Sequence, residues 1–80
     1  MFLCIEGFFP DGHENKFVQF ELDVASELNQ VVLDLVGWES LQDGVRHGVV
    51  ELTAEQARQI EGVLGKPIPK ELDICISVLA

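Results

Sequence analysis

Eighty residues carrying fourteen acidic and five basic side chains have a formal net charge of −9. A field of that sign repels nucleic acid and anionic lipid and attracts cations or a basic protein surface. The length implies one domain, residues 1–80, and no apolar run approaches the roughly 18–20 residues a membrane span needs.

Taken in order, Phe2 to Phe9 alternates as a strand, with Leu3 and Ile5 on one face and Phe2, Cys4, Glu6 and Phe8 on the other. Pro10 to Asn15 has the composition of a turn. Lys16 to Leu22 resumes the alternation, placing Val18, Phe20 and Leu22 inward and Phe17, Gln19 and Glu21 outward, which predicts a hairpin. Asp23 to Trp38 then has the spacing of an amphipathic helix, its stripe formed by Val24, Ala25, Leu28, Val31, Val32, Leu35 and Val36. Asp23 stands at the N-cap position and Gly37 at C′.

Glu39 to Gly44 is a polar loop, and Val45 to Leu52 is predicted as a third strand. In that strand Val50 and Leu52 take one face, and Val45, His47, Val49 and Glu51 the other, with Gly48 marking a bulge or a close backbone approach. Thr53-Ala-Glu-Gln56 is a capping box that opens a second helix, which runs to about Leu64 and stops at Gly65 before Lys66-Pro-Ile-Pro69. Leu72 to Leu79 is the last strand, with Leu72, Ile74, Ile76 and Val78 opposite Asp73, Cys75 and Ser77. The order ββαβαβ predicts an α+β domain: a single four-stranded, mainly antiparallel sheet with both helices on one face. Leu3, Ile5, Val18, Phe20, Leu22, Val50, Leu52, Ile74 and Ile76 are expected beneath them.

The opposite face has nothing left in the sequence to cover it. An uncovered face that mixes apolar and acidic groups is a candidate interface, and Glu6, Phe8, Phe17, Gln19, Glu21, His47, Glu51 and Asp73 are its candidate partner-binding residues. Catalysis, by contrast, finds no support. No glycine pattern forms a nucleotide loop, there is no nucleophile elbow, and Cys4, Cys75, His13 and His47 are too few and too scattered to define a Cys–His pair. Asp11, His13 and Glu14 lack calcium-loop spacing and read as a solvated turn. Two distant cysteines are no zinc framework, and Trp38 reads as packing at the helix end. We expect no cofactor, no metal site and no enzymatic activity. Met1 to Ile5 lacks the basic and long apolar regions of a signal peptide, so a cytoplasmic protein is expected.

The pattern as a whole resembles the immunity proteins of bacterial ribonuclease toxins, the cloacin type and its relatives. The residues that carry the likeness run through most of the chain. Leu3-x-Ile5 with Phe8-Phe9 enters the turn at Asp11 to Glu14, and Leu33 to Trp38 closes the first helix. Asp43-Gly44, Gly48 and Val49-Val50 follow, then Leu72-x-Ile74-x-Ile76-Ser77. The immunity proteins of contact-dependent inhibition systems are a looser group with the same task. The resemblance implies a four-stranded antiparallel sheet with helical cover, which binds and blocks a basic toxin domain, a nuclease, as a monomer or weak homodimer, with neither nucleic acid nor membrane as partner. The alternative from another class is a phage or plasmid inhibitor that mimics nucleic acid, of the anti-restriction or anti-CRISPR type. Such a mimic should carry two rows of carboxylates at phosphate-like spacing, and an immunity protein one acidic patch with apolar anchors.

Overall fold

The computed structural model describes every residue except Asp11 and His13. Those two members of the predicted turn and of the Asp11, His13, Glu14 cluster lie outside the described residues. The elements are β1 (Phe2–Phe8), β2 (Phe20–Asp23), α1 (Asn29–Val36), α2 (Leu41–His47), β3 (Val50–Glu51), α3 (Ala54–Leu64) and β4 (Asp73–Leu79), with a 3-10 turn over Ser26–Leu28 leading into α1. The strands form one sheet in the order β2-β1-β4-β3, and every neighbouring pair is antiparallel. The α+β class and the single antiparallel sheet are as expected, with a third helix added.

The second strand is shorter than predicted. Asn15 Oδ1 accepts the Phe17 amide at 2.9 Å, a local side-chain bond that competes with ladder pairing, and the Gln19 side chain donates to the Phe17 carbonyl. The chain rejoins β1 where the Gln19 amide donates to the Gly7 carbonyl. Val18, expected in the core, is therefore exposed, and so is Phe17.

The first helix starts late. Asp23 is no N-cap: it is the last residue of β2, paired with Cys4, and Val24 stays extended with its amide on the Leu3 carbonyl. Once Val24 and Ala25 leave the helix they no longer set its phase. Val32 and Leu33 are the residues buried, and Val31 is turned to solvent. Gly37 ends α1 in the left-handed region, φ 79°, as its position predicted.

The largest departure is at Leu41–His47, where the end of a polar loop and the start of a strand from Val45 were expected and a helix stands. Ser40 Oγ accepts the Asp43 amide at 3.1 Å, satisfying one of the free donors at the helix start, and Asp43 Oδ2 accepts the Glu39 amide just before the cap at 3.0 Å. Gly44 then fits where no side chain can, since a Cβ there would lie 2.7 Å from both the Trp38 ring and Val78 Cγ2. Gly48, at φ 73°, ends this helix and does not bulge a strand. Only Val50 and Glu51 remain for β3, extended by the Leu52 amide on the Ile74 carbonyl.

The capping box at α3 forms as predicted, Gln56 amide to Thr53 Oγ1 at 3.1 Å and Thr53 amide to Gln56 Oε1 at 2.9 Å. Beyond Gly65, a clasp holds the return to β4: Arg58 binds both Glu61 and the Ile68 carbonyl, and Glu61 Oε2 accepts the Ile68 amide. It seats Ile68 in the core.

All three helices meet one face of the sheet. Val32, Leu33, Ala57 and Ile60 join Leu3, Ile5, Ile74 and Ile76 in one buried cluster, with Phe20, Leu22 and Val50 packed against it. α2 reaches this layer through Gly44, next to Val78. Among the described residues no helix is long and apolar enough to cross a membrane.

Candidate partner-binding face

Alternation along each strand sends the residues between those core positions to the other side. In β1 these are Phe2, Cys4, Glu6 and Phe8, and in β2 Glu21 and Asp23. They are Glu51 in β3, and Asp73, Cys75, Ser77 and Leu79 in β4. The register aligns them. Glu6 pairs with Glu21 on one side and with Cys75 on the other, and Cys75 pairs with Glu51. Glu21, Glu6, Cys75 and Glu51 thus make one row across all four strands. Asp23, Cys4 and Ser77 form the row beside it, and Phe8 with Asp73 the row on the other flank.

All five carboxylates of the strands lie on this face, and no strand contains a lysine or arginine. The five bases, Lys16, Arg46, Arg58, Lys66 and Lys70, are all in helices or connections. Cross-strand neighbours have Cβ atoms about 4.5–5.5 Å apart, so Glu6 and Glu21 oppose like charge to like charge, which destabilises a sheet.

The two cysteines register this field. Cys4 is fully buried, and burial, followed by the charges of Glu6, Glu21 and Asp23, pushes its thiol up to about 11. Cys75 is raised by burial first and then by Glu51, Asp73 and Glu6. A thiol that holds its proton at neutral pH is a poor nucleophile. The pair is also diagonal in the register, Cys4 opposite Ser77 and Cys75 opposite Glu6. Diagonal positions are about 7–8 Å apart, too far for the roughly 3.5–4.5 Å Cβ separation of a disulfide, and both cysteines are free.

One group among the described residues, Cys4, Glu6 and Glu21, can bring three ligand atoms within 4.8 Å of one another. The geometry is that of an acidic patch beside a buried thiol.

Of the residues singled out in the sequence, Glu6, Phe8, Glu21, Glu51 and Asp73 come together on this face. Phe17 and Gln19 precede β2, in the connection where the ladder is not yet formed, and Phe17 is 81% exposed. His47 does not belong to the face. It ends α2, its ring stacked parallel on Trp38 at a centroid distance of 5.5 Å and its Nε2 3.6 Å from Asp43. The physical reason is the helix that replaces the predicted strand. Asp23 is the face residue the sequence reading assigned elsewhere; Glu21-Leu22-Asp23 continues the strand alternation and was the signal for it. The chain matches no protein-family model, no curated protein and no solved structure.

Proposed function

We propose that this chain is an inhibitor that binds a basic protein domain through the open face of its sheet, in the manner of an immunity protein facing a nuclease toxin, and that it is not an enzyme. The observation that carries the reading is the row Glu21, Glu6, Cys75, Glu51, flanked by Asp23 and Asp73, on a sheet whose strands hold no base. Cationic groups that a nuclease uses on phosphate would find carboxylates here at side-chain reach. The mutual repulsion of Glu6 and Glu21 would be relieved by a lysine or arginine brought between them. A nucleic-acid mimic calls for two extended rows of carboxylates. The gathering of these acids into one patch, with Phe8 among them, favours the protein-binding reading over mimicry.

Calorimetric titration against a panel of basic bacterial nuclease toxin domains tests this. The binding partner should lose affinity when Glu21 or Glu51 is reversed to Lys, on the order of 2–5 kcal/mol for a desolvated pair and about 1 or less at a rim. Glu27→Lys and Asp34→Lys, on the exposed side of the 3-10 turn and α1, should do little beyond slowing association. Loss of binding in the helix variants and not in the sheet variants would place the interface elsewhere.

A further inference from the structure

The sheet has two unlike edges. β3 closes one side with only Val50 and Glu51, and β2 closes the other with Phe20–Asp23. Which backbone groups of β2 point outward follows from its register. The Val24 amide donates to the Leu3 carbonyl at 2.9 Å, so Val24 and Leu3 face each other as a hydrogen-bonded pair. Bonded and non-bonded pairs alternate along an antiparallel ladder. Leu22 with Ile5 and Phe20 with Gly7 are then the other bonded pairs, and the amides and carbonyls of Glu21 and Asp23 point away from β1. Among the described residues no strand lies beyond them. Both residues are exposed, and their carboxylates stand at the β2 ends of two neighbouring rows of the open face.

An unpaired strand edge is a template for a further strand, and the charges of this one decide which strand it admits. A second copy of the chain is poorly suited. Residues opposite each other in a ladder share a face, so two copies paired through all the outward groups of β2 would set Glu21 of each against Asp23 of the other. Like charges directly opposite destabilise a sheet, and Glu6 stands beside them. A strand with lysine or arginine at two alternate positions has the reverse effect. One base meets Glu21, the next meets Asp23, and the backbone closes hydrogen bonds with groups that otherwise face water. The β3 edge offers less. With the Leu52 amide on the Ile74 carbonyl, Glu51 is the single residue of β3 whose amide and carbonyl point outward.

Resting on the proposed function, we infer that the basic partner contributes an extended segment with bases at alternate positions, which joins the sheet as a fifth strand antiparallel to β2. Main-chain hydrogen bonds to Glu21 and Asp23 hold the segment, and the alternation of its side chains gives selectivity. The bases lie on the open face, and the residue between them lies on the helix-covered side next to Leu22. The acids of β2 thus admit a basic strand and turn away a copy of the chain.

Three peptides of equal charge separate this inference from the reading beneath it. The first is Lys-Thr-Lys-Thr-Lys with blocked ends, the second carries N-methyl groups on its lysine amides, and the third carries them on its threonine amides. In the inferred strand the lysine amides point at β2 and the threonine amides point away. Each peptide is titrated into the 80-residue chain and followed by backbone NMR and amide hydrogen exchange. The first and third should bind with similar affinity and slow the exchange of the Glu21 and Asp23 amides. The second should bind about tenfold more weakly and leave that exchange unchanged. Equal affinities for all three, with shifts at Glu6, Glu21 and Glu51 and no slowing at Glu21 and Asp23, would overturn the fifth strand and leave the basic-partner face intact. Slowed exchange of those two amides in the chain alone, as its concentration rises, would make a second copy the occupant of the edge and also overturn the inference. Absence of shifts at Glu6, Glu21 and Glu51 with every peptide would overturn both.

Discussion

Neighbouring residues of β1 obey opposite rules. Leu3 and Ile5 are fully buried under the helices, in the cluster that holds Val32, Leu33, Ala57, Ile60, Ile74 and Ile76, and Cys4 between them faces the other way into a field of carboxylates. On the covered face the side chains follow from packing: apolar and without charge. On the open face Glu6 stands opposite Glu21 with no base in any strand, an arrangement that packing does not ask for and electrostatics opposes. The contrast teaches where to look for function in a small domain. The face that stabilises the fold is the one whose chemistry is accounted for by burial, and the face that works against stability is the one burial leaves unexplained, which is why the proposed partner is placed there.

The comparison breaks most sharply along a single strand. Ile5→Ala should cost about 2–5 kcal/mol in urea unfolding, a large share of the stability of a domain this size. Glu6→Ala, one residue on, should cost less than about 1 kcal/mol or even stabilise, because it removes a like-charge pair. Equal losses at the two positions would mean that the open face is packed in solution and not free for a partner.

The covering layer can be tested through Gly44. A methyl at that position would meet the Trp38 ring and Val78 at 2.7 Å, both held in the core, so Gly44→Ala should destabilise by about 1–3 kcal/mol and alter the near-ultraviolet circular dichroism of Trp38. An unchanged spectrum and stability would remove α2 from the helical layer.

The field on the open face should be visible in alkali. The Cys4 thiol keeps its proton to about pH 11 when folded and releases it near 9.0 when unfolded. Between those values the folded state binds more protons, so its stability is complete below pH 9 and falls as pH rises towards 11, by roughly 1–2 kcal/mol. Cys4→Ala should flatten most of that slope, the remainder belonging to Cys75, which is raised in the same direction. A slope that survives in the double variant would have to come from other groups.

Much of this was legible before the structure, and the failures have physical causes. Alternation in 2–8 and 73–79 placed both faces correctly, because the period of a strand is two and the core residues are aliphatic. The α3 capping box was readable because its two hydrogen bonds are local. At 41–48 the same kind of signal was present, Ser40 three residues before Asp43 and Gly48 at the far end. It was outweighed by β-branched Val45, Val49 and Val50, and by a glycine whose reason lies in Trp38 and Val78, six residues before it and thirty-four after. His47 followed that misreading onto the wrong layer.

The smallest expected change in stability is the most telling for function. Glu21 is exposed, stands on the edge strand and directly faces Glu6. Glu21→Lys replaces a like-charge pair by an opposite-charge one at the same register position, so stability should rise by a few tenths to about 1 kcal/mol at low salt, and less as salt is added. The same reversal puts a cation into the acidic row, so affinity for a basic partner should fall by more than tenfold, with association slowed first. A residue retained for the fold cannot give both results, since its replacement would cost stability and affinity together. Parallel urea unfolding and titration of this one variant therefore test whether the open face is kept acidic for a partner. Loss of stability alongside the loss of binding would show Glu21 to be structural and withdraw it from the interface.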